Sequence, residues 1–148
     1  MTLHLFDPGT EDVALLAALH ATSFPEPWSA VAIRDLFATP GVFAFADSDG
    51  FILARAAGGE AEILTLAVSP AARRQGIGRA LILAAAVHAQ KLGADTLFLE
   101  VATGNEAARR LYAGVGFAAA GLRKAYYGAE DAHILKANLP LPNPDEFA

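Results

Sequence analysis

Apolar and polar positions change rhythm several times along this chain, and each change predicts an element. Leu3 to Phe6 reads as a short strand. Thr10 offers a hydroxyl ahead of an apolar-periodic run, which predicts a helix from Glu11 to about Thr22. FPEPWS breaks that run, and Ser29 stands where an N-cap belongs for a second helix to about Phe37. The segment VFAFADSDGFILARAAGGEAEILTLAV holds three short apolar runs divided by DSDG and GG, so three strands in an antiparallel meander are expected. After RRQGIG the period lengthens. Ile77, Leu81, Ala84 and Val87 keep a helical spacing, which predicts a helix from about Ile77 to Lys91 closed by Gly93. DTLFLEVA is the next strand, and NEAARRLYAGV a short helix opened by Asn105. FAAAGLRKAYY and DAHILKANL pair as a final hairpin, and PLPNPDEFA reads as a loose tail.

One strand–helix–strand unit among otherwise antiparallel strands implies a mixed α/β fold, with about six to seven strands and about four helices. A chain of 148 residues suits one domain, here residues 1–139, with 140–148 as the tail. An apolar fraction of 54% with scattered charge describes a globular protein. The formal charge of −5 argues against nucleic acid as the main partner and suits a basic peptide or small amine better. The absence of cysteine excludes disulfides, thiolate nucleophiles and cysteine-ligated zinc. His4, His20, His88 and His133 lack metal-ligand spacing and read as structural, so no metal is expected. The first residues lack a secretory pattern, and the longest apolar stretch, ALILAAAV, is too short to cross a bilayer; a cytoplasmic location follows as the default. The oligomeric state stays open between a monomer and a weak dimer.

The stretch RRQGIGRAL, at 73–81, carries the first chemistry. A strand ending at Val68 and a helix starting near Gly76 leave a connection rich in donors. The first N–H groups of a helix have no internal partner, and its dipole adds positive potential there. Glycines at 76 and 78 admit a ligand close to the backbone, and Arg73, Arg74 and Arg79 add charge. Together they suit a pyrophosphate. A capped helix start with solvated arginines explains the loop equally well. A Walker loop is excluded because Arg79 and Ala80 follow Gly78, and a dinucleotide fingerprint because Leu81 stands where its third small residue belongs.

LAVSPAARRQGIGRALI resembles the acetyl-CoA-binding segment of the GNAT superfamily of N-acetyltransferases, with a Q/R-x-x-G-x-G/A core at Arg73, Gly76 and Gly78. Downstream, LFLEVATGNEAARRLYAGVGF resembles the family's N-x-x-A-x-x-L-Y-x-x-x-G-F half. EPWS and RKAYYGAEDA narrow the likeness to the ribosomal-protein-alanine N-acetyltransferase subfamily, over about Phe24 to Leu139. The resemblance implies a GNAT-like sheet and acetyl-CoA as cosubstrate. It implies acetyl and pantetheine contacts along Leu66, Ala67 and Val68, and pyrophosphate contacts at Arg73, Arg74, Gln75, Gly76, Ile77, Gly78 and Arg79. Asn105 then holds the coenzyme's arm, Glu100 is the general base and Tyr112 the general acid. The implied acceptor is a protein N-terminus, such as that of a ribosomal protein. Trp28, Tyr126 and Tyr127 are candidates to line its groove, though core packing explains each equally well. Gly128 and the KANL segment depart from the subfamily on the peptide-facing side.

The residues agree with these roles in part. Alternation along TLFLEV sets Thr96, Phe98 and Glu100 on one face, so partial burial of Glu100 and a raised pKa are expected. Taken alone, a structural carboxylate paired to an arginine is the stronger reading. Tyr112 shares a helical stripe with Ala108, Leu111 and Val115, which taken alone marks a core tyrosine. Two other readings remain: a small-amine acetyltransferase acting on a polyamine or amino acid, and a non-catalytic acyl-CoA sensor. The presence of both Glu100 and Tyr112 counts against the sensor.

Overall fold

The computed structural model describes residues 3–124 and 130–142; Tyr126, Tyr127 and Gly128 fall outside them. In chain order the elements are β1 (His4–Leu5), α1 (Ala14–Ala21), α2 (Ala30–Phe37), β2 (Val42–Ala46), β3 (Gly50–Ala57) and β4 (Glu60–Val68). A 3-10 turn, Pro70–Ala72, leads to α3 (Ile77–Lys91), followed by β5 (Thr96–Ala102), α4 (Glu106–Gly114), β6 (Ala118–Arg123) and β7 (Ala132–Asn138). The strands form one sheet in the order β1-β2-β3-β4-β5-β7-β6. Every neighbouring pair is antiparallel except β4–β5, which is parallel and joined through α3. The mixed α/β expectation holds. One detail lay beyond the pattern: β7 enters between β5 and β6, so the final hairpin is docked by its second strand.

The sheet carries a core on each face. Phe6, Val13, Leu16, Ile33, Phe51 and Leu53 pack beneath α1 and α2. Ile52, Leu81, Ile82, Leu97, Leu99 and Tyr112 pack beneath α3 and α4. The buried stripe of α3 is Leu81, Ile82, Ala85, Ala86 and Ala89. Val87, expected on that stripe, is instead exposed. It lies about 140° round the helix from Ile82 at 3.6 residues per turn, while the small alanines let the helix come close to the sheet.

The first helix also starts later than expected. Thr10 caps nothing, because Asp7 organises the segment: its backbone oxygen accepts from Thr10 and Glu11 N–H, and its carboxylate from Gly9 N–H. Asp12, not Thr10, meets the start of α1 by accepting from Ala14 N–H at 2.9 Å. Ser29 does cap α2, accepting from Ala32 N–H at 3.1 Å. Near the chain's end, Leu141 packs on the core and Pro142 lies against Gly116, so the first tail residues are docked. Among the described residues no helix is long and apolar enough to cross a membrane.

Two irregularities in β4 prepare a site. Leu53 pairs with Thr65 and Ala54 with Ile63, which leaves Leu64 as an extra residue in the strand. Such a bulge resets the alternation of side chains. Ala61 and Ile63 therefore face α3, whereas Thr65 and Ala67 face α1. Pairing of β4 with β5 also stops early, at Ile63 opposite Leu99. Beyond it β4 continues with β3 to Val68, and β5 continues with β7 to Ala102, so the sheet opens between them.

Candidate active site

The opening lies at the carboxyl ends of two parallel strands, where open α/β sheets bind ligands. One wall is the β4 edge ending in Leu66, Ala67 and Val68. The other begins at Glu100, the first β5 residue beyond the last β4 pair. Residues read from two different parts of the sequence thus flank one gap, where β4 stays with β3 and β5 stays with β7.

The loop at its mouth is built from left-handed backbone. Arg74 takes φ 66° and Gly76 φ 80°. Gly76 caps α3 without a side-chain hydrogen bond. Ala80 N–H closes the first helical bond to Gly76. Among the described residues, no protein acceptor meets the N–H groups of Arg74, Gln75, Gly76, Ile77, Gly78 or Arg79. Consecutive free N–H groups in such a turn form an anion-binding concavity. This arrangement fits the pyrophosphate of acetyl-CoA.

Three residues here have surroundings that the sequence did not show. A Cβ on Gly76 would meet open space, so its glycine serves the positive φ. A Cβ on Gly78 would lie 3.1 Å from Leu111, so that glycine lets α4 approach α3. Arg73 turns away from the loop. Its Nε donates to the Val68 carbonyl at 3.2 Å and its Nη2 to Ser23 Oγ at 3.1 Å.

Glu100 is on the α1 side of β5, as alternation predicts, but it is not buried. Its side chain is 39% exposed and paired to Arg123 at 3.0 Å. A cleft of about 400 Å³ runs along this part of the sheet, lined by Arg55, Glu60, Glu62, Phe98, Glu100 and Ile134 among others. Tyr112 belongs to the opposite core, 7% exposed and edge-on to Phe117 at 5.6 Å between centroids. Burial pushes its phenol up to about 12, so the hydroxyl keeps its proton. Asn105 caps α4, its Oδ1 accepting from Ala108 N–H at 3.1 Å, which leaves its amide nitrogen for a ligand.

On the α1 face, His20 does more than the sequence showed. Trp28 N–H donates to its Nδ1 at 3.1 Å, which puts the ring proton on Nε2 and lets that atom donate to Thr65 Oγ1 at 3.2 Å. The ring stacks between Phe24 and Trp28, at 4.1 and 4.9 Å. Trp28 is half-buried in this stack. The spacing of Val13, Leu16 and His20 marks the histidine as core-facing, but Thr65 is too distant in sequence to be foreseen.

A family model described as the Acetyltransferase (GNAT) family matches residues 13–117. The chain belongs to this family. The matched GNAT segment includes the open β4 edge, the donor loop, Glu100 and Tyr112. Over 80 residues the chain is 44% identical to the ribosomal protein bS18-alanine N-acetyltransferase of Escherichia coli (strain K12), covering 51% of this chain and 54% of that one. The match thus spans about half the length of that relative. It is 34% identical over 138 residues to N-alpha-acetyltransferase RimI of Mycobacterium tuberculosis, covering 84% and 85% of the two chains. The crystal structure of the ribosomal-protein-S18-alanine N-acetyltransferase from Escherichia coli superposes with a TM-score of 0.80 at 28% identity, over 96% of this chain and 97% of that one.

Proposed function

We propose that this protein transfers an acetyl group from acetyl-CoA to the N-terminal α-amine of a protein in the cytoplasm, a ribosomal protein being the acceptor class its relatives suggest. The observation that carries the reading is the run of free N–H groups from Arg74 to Arg79 at the mouth of the β4–β5 opening. Those groups hold the pyrophosphate, with Arg74 and Arg79 adding charge. The edge at Leu66, Ala67 and Val68 receives the acetyl and pantetheine arm, and the Asn105 amide supports it. Acetyl-CoA supplies an acetyl thioester.

Glu100 and Tyr112 then manage protons. Glu100 takes one from the acceptor amine, whose nitrogen bonds to the acetyl carbon as the carbon–sulfur bond breaks. Tyr112 gives its proton to the departing sulfur and recovers one through solvent. Transfer from a phenol at about 12 to a thiol of about 8.5 is uphill, and a dry position beside the sulfur narrows the gap by disfavouring the thiolate as well.

The acceptor reading rests on basicity and on the walls of the site. An α-amine has a pKa of about 7.7–8.0 and a lysine amine about 10.4, so at neutral pH the former is uncharged a few hundred times more often. One exposed carboxylate suffices for it. Trp28 offers one aromatic wall, and Tyr126 and Tyr127 are assigned to the other on the family resemblance alone. Glu60 and Glu62 in the cleft beside Glu100 favour a basic residue downstream. A peptide with a small first residue, an arginine second and an internal lysine tests this by mass spectrometry. Acetylation at the N-terminus is expected. Modification mainly of the lysine, or of free small amines only, overturns the acceptor assignment.

A further inference from the structure

We propose that Arg73 and Ser23 form a clasp that holds the connection between α1 and α2 on the last residue of β4, making Arg73 a positioning residue for the acceptor side. The part that concerns an acceptor rests on the proposed function; the clasp itself does not. Three hydrogen bonds close a ring. Ser23 Oγ donates to the Val68 carbonyl at 3.2 Å, Arg73 Nε donates to the same carbonyl at 3.2 Å, and Arg73 Nη2 donates to Ser23 Oγ at 3.1 Å. A carbonyl has two lone pairs, and both are used. The hydroxyl gives its one proton and accepts one, so each member holds the other two. The ring joins the chain after α1 to two segments 45 and 50 residues further on, the end of the open β4 edge and the start of the donor loop.

The position decides what the clasp controls. The connection spans residues 22–29, with Ser23 near one end and Trp28 near the other, and His20 ties the far end through Trp28 N–H. The connection is thus anchored at both ends to β4, through Val68 by Ser23 and through Thr65 by His20. Of its two aromatic residues, Phe24 and Trp28, the latter faces the acceptor side in the proposed reading. Arg73 therefore spends one donor group on this connection and another on the end of β4, although the family motif sets it beside the phosphate loop. Arg74 and Arg79 are left for the anion.

Trp28 is the only tryptophan in the chain, so its fluorescence reports on the connection directly. Ser23→Ala and Arg73→Ala should each increase acrylamide quenching of Trp28 in the free protein. Each variant loses two of the three hydrogen bonds, which predicts an increase of about 5–30-fold in KM for the acceptor. Acetyl-CoA Kd by calorimetry should stay within about twofold, since no phosphate contact is lost. The double variant should be no worse than Ser23→Ala alone, because that change already removes both bonds to the connection. Ser23→Ala removes only a hydroxyl, so it carries the test if Arg73→Ala does not fold. Unchanged Trp28 quenching in Ser23→Ala overturns the clasp whatever the activities. A tenfold rise in acetyl-CoA Kd for Arg73→Ala with unchanged quenching would instead return Arg73 to the phosphate. Quenching and coenzyme binding need no acceptor. If the wild-type protein leaves the test peptide unmodified, the acceptor reading fails while the clasp is still decided.

Discussion

Arg123 reaches past β7 to set Nε and Nη2 each 3.0 Å from one oxygen of Glu100, Oε2. Both contacts fall on the same oxygen, so Oε1 remains for an incoming amine. The pair is exposed, at 64% and 39% for the two side chains, and exposed pairs contribute only about 0–1 kcal/mol to stability. Arg123→Gln should therefore barely change the melting temperature. It should disturb catalysis by letting the carboxylate wander, an effect smaller than that of Glu100→Gln. The latter should lower kcat by about 10²–10⁴ and recover towards high pH, where the acceptor is already uncharged. A kcat–pH profile of both variants checks this. Wild-type turnover in Glu100→Gln would return the residue to a structural role.

Tyr112 offers two separable readouts. Tyr112→Phe should lower kcat by about 10²–10⁴ with little change in acetyl-CoA affinity. The phenol is raised to about 12 by burial, against about 10 in the unfolded chain. A group raised in this way contributes stability that is fully present below pH 10 and lost as pH rises to about 12. The loss amounts to about 2–3 kcal/mol at 1.36 kcal/mol per unit. Denaturant melts between pH 9 and about 12 should therefore show a steeper fall in wild type than in the phenylalanine variant.

His20 carries the opposite sign. Burial holds its pKa below the ordinary histidine value of 6.5, and its Nδ1 is occupied by Trp28 N–H. A depressed group contributes stability that is present above pH 6.5 and lost as pH falls through its folded value. His88, lowered by burial and by Lys91, acts in the same direction. The comparison is thus between wild type and His20→Gln. Thermal melts from pH 7 to about 5 should converge as the histidine's advantage disappears. Parallel curves would exclude this coupling.

The two loop glycines should fail in different ways. Gly76→Ala forces a side chain into φ 80° with free space around it, a cost of about 1–2 kcal/mol. Gly78→Val meets Leu111, whose Cδ2 lies 3.1 Å from the site of a Cβ, and overpacking costs about 1–3 kcal/mol. Leu111→Ala should rescue stability in the second variant and not in the first. Melts of the four proteins and the two double variants decide it.

Much of this protein follows from its sequence by itself. Short-range rules act between neighbours, so the meander with its DSDG and GG turns, the Ser29 cap, the bounds of α3 and the donor-rich loop at 74–79 were all legible there. Glu100 and Tyr112 were legible as residues and as faces of their elements. Their surroundings were not. Whether Glu100 is covered depends on which elements lie over β5, and Arg123 comes to it from beyond an intervening strand. The phase of the α3 stripe depended on how closely alanines let the helix sit, which left Val87 outside. The bulge at Leu64, the parting of β4 from β5 after Ile63, and the ties of His20 to Thr65 and Ser23 to Arg73 needed the folded chain. Each joins groups distant in sequence, and periodicity along one segment carries no information about a partner on another. Local pattern decided which elements form; only their packing decided what each site residue touches.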